Sequence, residues 1–146
     1  MNNLFMLAAV VLGAATVVQV MVNTELRIAT SSFVWAAFFQ FAVGSIALVI
    51  AALLMREPFP LSNLPRSPWW IWTGGLIGAS YIFITISLLP RLGAALLFAS
   101  IIVGQLAGSV VIDHYGWLSA PVHRLSLARV VGVVLLVIGA ALIRWK

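Results

Sequence analysis

The sequence predicts an all-α integral membrane protein: five transmembrane helices that assemble as an inverted, antiparallel dimer. Three observations predict this. The 146-residue chain is 64% hydrophobic and only 8% charged, whereas ordinary globular chains carry about 25% charged residues. Five apolar runs, at about residues 4–22, 32–55, 69–89, 94–112 and 127–143, each approach the ~20 residues that a helix needs to cross a ~30 Å hydrocarbon core. The cations between the runs favour neither side. With the N-terminus on one side, that side carries Arg56, Arg66, Arg124 and Arg129, and the other carries Arg27, Arg91, Arg144 and Lys146. The Lys/Arg bias that normally sets orientation is therefore tied. A chain without a preferred orientation can insert both ways, and two oppositely inserted copies can pair.

The elements follow in order as one transmembrane domain, residues 1–146. The first run lacks the basic leader of a signal peptide, its first charged side chain being Glu25, so a retained first helix is expected. Ser31 or Ser32 can cap the second helix. Pro58, Pro60, Pro65 and Pro68 punctuate the next loop. The third and fourth runs meet at Pro90-Arg91-Leu92-Gly93, a connection short enough to make them antiparallel neighbours. A longer loop, Asp113 to Ser126, holds both histidines and leads to the fifth run. Trp69, Trp70, Trp72, Tyr115, Trp117 and Trp145 lie near run ends, as an aromatic belt would. Five is odd, so a fused duplicate would be inverted automatically, whereas an unfused one must insert in both orientations.

Composition excludes several function classes. The net charge of +5 and the pI of about 11.3 do not mark a nucleic-acid binder, because the cations stand singly at the ends of apolar runs. There is no cysteine, hence no disulfide or thiolate metal site. His114 and His123 have no third ligand at a convincing spacing, so no metal is expected. No nucleophile elbow, P-loop or zinc-protease helix motif occurs. Neither a catalytic role nor a cofactor is expected.

Helical periodicity places the polar side chains in stripes. Ala9, Leu12, Thr16, Gln19 and Asn23 share a face of the first run. Phe33, Ala36, Gln40, Gly44, Ala47 and Ala51 share one of the second. Trp70, Gly74, Gly78, Tyr81 and Thr85 line up in the third, and Phe98, Ile101, Gln105, Gly108 and Ser109 in the fourth. An amide facing lipid loses its water partners at a cost of roughly several kcal/mol. Gln19, Gln40 and Gln105 should therefore face protein or a watery cavity, either as interhelical glue or as the lining of a substrate path. The candidate cavity residues are Gln19, Asn23, Gln40, Trp70, Tyr81, Gln105 and Ser109. Gly74-x-x-x-Gly78 and Gly104-x-x-x-Gly108 allow close helix approach. The fifth run has no polar side chain from Val130 to Ile143. Its Gly132 and Gly139, a heptad apart, suit helix–helix contact, read as dimer packing with packing inside one copy as the alternative.

The three acids stand at run ends. Glu25 with Arg27 reads as an interfacial pair of little energetic weight. Asp113 closes the fourth run, where the helix dipole disfavours an anion. With His114 beside it, it reads either as a solvated helix end or as a gate or proton relay at one mouth.

Several segments together resemble a known family. They are Gln19-x-x-x-Asn23, Trp69-Trp70-x-Trp72-x-Gly74-Gly75-x-x-Gly78, Pro90-Arg91-Leu92-Gly93-Ala94-Ala95, and Gly104-Gln105-Leu106-x-Gly108-Ser109 leading to Asp113-His114-x-Gly116. In this order, and over nearly the whole chain, they resemble the YdcZ-type small membrane proteins of the drug/metabolite transporter superfamily. The resemblance implies a five-helix half-transporter in the bacterial inner membrane. The last run is also similar to the dimerising helix of small multidrug resistance proteins. The central glutamate of that group's first helix is missing here, where Thr16 and Gln19 stand at lipid depth, so the resemblance does not imply proton-coupled cation export. The expected function is transport of a small metabolite or anion by alternating access in a dual-topology homodimer. The expected partners are a second copy, membrane lipid and the small-molecule substrate, with no nucleic acid. The alternatives are a non-transport accessory or assembly subunit, and a passive channel.

Overall fold

In the computed structural model, which describes residues 2–60, 64 and 67–145, all regular structure is helical. Pro65, Arg66 and Lys146, which enter the loop and charge readings above, lie outside the described residues. Among the described residues, four helices are long and apolar enough to cross a membrane. The chain forms two compact units, Met1–Ser87 and Leu88–Lys146.

The first helix, α1, is Asn2–Thr30, 29 residues long, or about 43 Å at the helical rise. It runs well past the apolar stretch that ends near residue 22. Polarity marks where the membrane ends, whereas backbone chemistry marks where the helix ends. Glu25, Leu26 and Arg27 are good helix formers, and the helix stops only where Ser31 turns to φ 52°. Ser32 then caps α2, Phe33–Met55, its Oγ accepting from Trp35 N–H at 3.3 Å. Arg56 ends α2 in the left-handed region at φ 55°. Glu57 N–H reaches back to Ala52 O at 3.0 Å, which satisfies a last-turn carbonyl before Pro58.

The two-residue connection makes α1 and α2 an antiparallel hairpin. Residues equally far from Ser31–Ser32 are therefore level with one another. Arg27 meets the start of α2, its guanidinium 4.4 Å from the centre of the Phe33 ring. The expected Glu25–Arg27 pair is thereby corrected: residues two apart on a helix point away from each other, and Arg27 lies on an aromatic face instead. Val20, Asn23 and Ala36 are buried in this hairpin, and Ala37 is buried on the other face of α2.

A 3₁₀ turn, Trp69–Trp72, leads into α3, Thr73–Tyr115. This corrects the placement of Trp70 on the Gly74–Gly78 stripe. A 3₁₀ turn has three residues per turn, so the α-helical spacing does not extend back across Thr73. Within the first unit, the Phe83 ring packs edge-on against Phe33 at 5.8 Å, and Ile82, Thr85 and Ile86 are buried.

The third and fourth runs, expected as two helices joined by a loop, form one helical element of 43 residues broken at a single position. Pro90 stays helical, and the break falls at Gly93, with φ 72° and ψ 162°. Proline deletes one hydrogen bond and tolerates the helical φ, whereas Gly93 occupies a region open essentially to glycine alone. A Cβ there would meet nothing within 4 Å, so the barrier to a side chain is conformational rather than steric. Gly93→Ala is expected to cost about 1–3 kcal/mol and to lower the apparent melting temperature in detergent. Gly13→Ala, in open helical surroundings, should leave it unchanged or raise it.

After Gly116, a 3₁₀ turn at Trp117–Ser119 and an extended stretch lead to α4, Leu127–Arg144. Ser126 caps α4, its Oγ accepting from Arg129 N–H at 3.4 Å.

Candidate functional site

The hairpin register sets the candidate site. Asn23 and Gln40 each lie eight residues from the Ser31–Ser32 connection, so they stand level, about 12 Å from it along the helix axes. They line a groove of about 620 Å³ with Gln19, Val22, Leu26, Thr30, Phe39 and Val43. Asn23 is only 3% exposed. Its Nδ2 is buried with no hydrogen-bond partner, and so is the Oε1 of Gln40. Each such atom costs roughly 1–3 kcal/mol when buried unpaired. Gln19, one helical turn from Asn23, stands exposed at the groove.

The hydroxyls nearby are already satisfied. Thr30 Oγ1 donates to Leu26 O at 2.8 Å and lies 3.0 Å from Ser32 O. Thr24 Oγ1 donates to Val20 O at 2.8 Å, and Thr16 Oγ1 to Gly13 O at 2.6 Å. Short hydroxyl side chains can return to their own helix, which makes them tolerable at membrane depth. The Asn23 and Gln40 amides have atoms with no such bond, and this sets them apart from the threonines.

The opposite face of α2 meets α3 at a second groove of about 660 Å³, lined by Val34, Ala37, Phe38, Phe41, Ala79, Ser80, Phe83 and Ile84. Its one polar side chain, Ser80, donates to Leu76 O at 2.9 Å. Tyr81 lines neither groove and is half-buried. Trp70 is 48% exposed and lines neither. Of the sequence candidates, the structure thus brings together Gln19, Asn23 and Gln40.

In the second unit, Gln105 and Ser109 are exposed, and Ser109 Oγ donates to Leu106 O at 2.9 Å. Asp113 and His114 clasp the loop that follows them. The Arg129 Nη1 donates to Asp113 Oδ2 at 3.1 Å and to His123 O at 3.4 Å. His123 N–H donates to Asp113 O at 2.9 Å, and His114 Nδ1 accepts from Leu125 N–H at 3.2 Å. Arg129 supplies the positive charge that an aspartate at a helix C-terminus lacks. Sequence reasoning missed this pair, although a carboxylate ending one helix and an arginine in the first turn of the next were a signal for it. Gly116 seats the loop at φ 66°, where a Cβ would come within 2.7 Å of Val122. Gly132 and Gly139 have open space beside them in the single chain.

Helices apolar on nearly every face, with two orphaned amides held between the first two, define an integral membrane protein of the helical class. The chain belongs to the YdcZ family: residues 4–142 match the family model described as "Putative inner membrane exporter, YdcZ". It is similar to the inner membrane protein YdcZ of Escherichia coli (strain K12), 28% identical over 140 residues, which cover 95% of this chain and 91% of that protein. No solved structure matches the chain. Family and composition together support an inner-membrane location and a membrane transporter, consistent with a non-enzymatic role.

Proposed function

We propose that this protein exports a small metabolite by alternating access, that the α1–α2 groove holds the substrate, and that the working unit is a pair of copies in opposite orientations. The observation that carries the site is the pair of orphaned amide atoms in that groove. A buried donor and acceptor without partners are costly in a resting protein, and a transported molecule that supplies the missing bonds gives them a purpose.

The break at Gly93 supports a reading of five crossings per copy. The helical stretches 73–92 and 94–115 on either side of it are each about 30 Å long, one hydrocarbon thickness. With α1, α2 and α4 they make five crossings, so a copy of the other orientation supplies the inverted half. The open faces at Gly132 and Gly139 suit contact between the two copies. The clasp that Arg129 and Leu125 make on Asp113 and His114 lies at a helix end, which suits a gate at one mouth of the pair.

The export reading is tested by comparing the culture medium of cells producing the native protein with that of cells producing Asn23→Leu at equal membrane levels. Mass spectrometry is expected to find at least one metabolite enriched about tenfold or more outside the native cells alone, the change that ~1.4 kcal/mol of lost recognition produces. Identical media would overturn it.

A further inference from the structure

We infer that the α1–α2 groove selects a neutral molecule whose edge carries a hydrogen-bond donor beside an acceptor, such as a carboxamide, ureide or lactam, attached to an apolar body. The inference rests on the groove being the substrate site and names the chemical class it takes.

The wall offers one unpaired donor, Asn23 Nδ2, and one unpaired acceptor, Gln40 Oε1. The hairpin register sets them level, so a single planar group can serve both. Asn23 is 97% buried. The last torsion of Asn and Gln is soft and broadly two-fold, so a modest turn of either amide brings its orphaned atom to an incoming edge. Around the amides the groove is hydrocarbon and aromatic, with Val22, Leu26, Phe39 and Val43. Thr30 does not compete for the edge, since its hydroxyl is bound to Leu26 O.

Among the described residues, no ionisable side chain lines the groove. An ammonium or carboxylate entering it would leave water without a counter-charge, the costliest kind of transfer into an apolar site. Arg27, one turn beyond Asn23, is occupied over the Phe33 ring. A neutral edge loses only the hydrogen bonds to water that the two amides replace. A site built to satisfy such an edge also discriminates strongly against analogues that leave its polar groups unpaired.

The test uses three probes with one apolar body and different heads: cinnamamide, cinnamate and cinnamylammonium. Each is titrated at pH 7 against the protein in phosphatidylcholine nanodiscs, with saturation-transfer NMR as the readout. Cinnamamide is expected to bind at least tenfold more tightly than either ion. Asn23→Leu is expected to weaken it at least tenfold. So is Gln40→Met, which keeps the length and flexibility of the side chain and guards against a variant that fails to fold. Tighter binding of either ion, still sensitive to Asn23→Leu, would overturn the neutral class while leaving the groove as the site. Cinnamamide binding that neither substitution weakens, or no binding of any probe, would overturn the inference. Selective cinnamamide binding together with unchanged culture medium would support it and remove the export reading instead.

Discussion

Single cysteines at Ala29 and Pro60 should each be labelled in part from both faces of the membrane. Both positions are exposed, Ala29 in the last turn of α1 and Pro60 in the loop after α2, and the chain has no other cysteine, so each label reports one site. The expectation follows from the tied arginine and lysine count. Orientation is set by cation bias in the short loops, and with four cations on each side neither orientation gains. Arg129 is the cation whose place most affects that tie, and the structure puts it in the first turn of α4, on the Asp113 side of the helix. Adding three lysines to the stretch between Glu57 and Pro60 should fix one orientation and abolish export when that variant is produced alone. A second variant, with three lysines beside Ala29, should restore export when produced with the first. The expected contrast is near-complete loss against substantial recovery, measured in the culture medium. Full activity of either fixed variant alone would rule out the antiparallel pair.

Replacing either orphaned amide with an apolar side chain should separate stability from function. Asn23→Leu and Gln40→Leu each remove a buried atom that lacks a partner, so the folded state loses no hydrogen bond at that atom and sheds a desolvation penalty. Stability in detergent is expected to hold or rise by about 1 kcal/mol, and export is expected to fall at least tenfold. Natural proteins retain such costs where function needs them. If the amides served only as glue between α1 and α2, the same substitutions would lower stability. Thermal unfolding and metabolite export measured on the same variants distinguish the two. Destabilisation with export retained would assign the amides to packing.

Much of the fold was legible because in lipid a helix is nearly the only way to satisfy a backbone. Apolar run length located α2 within a residue and α4 within a residue or two. The same signal misjudged α1, since hydropathy reports the membrane boundary and Glu25 to Thr30 continue the helix beyond it. The Pro90–Gly93 segment looked like a loop because both residues are breakers, yet the local backbone breaks only at Gly93. Periodicity put Gln19 and Asn23 on one stripe of α1 and Gln40 on a stripe of α2, and all three line one groove, because three- and four-residue spacing is preserved inside a regular helix. It misplaced Trp70, because that spacing fails across a 3₁₀ turn.

By itself the sequence determined the helical class, the membrane as solvent, the charge balance and the stripes on which polar groups lie. All of these depend on local composition and on the fixed geometry of a helix. Which stripes meet was decided by tertiary structure. The two-residue turn at Ser31–Ser32 sets Asn23 level with Gln40, and packing around them leaves a donor and an acceptor buried without partners. The Arg27–Phe33 contact and the Asp113–Arg129 clasp arise in the same way. Local sequence specifies which direction a side chain leaves its own helix, and only the packing of a second helix specifies what it finds there.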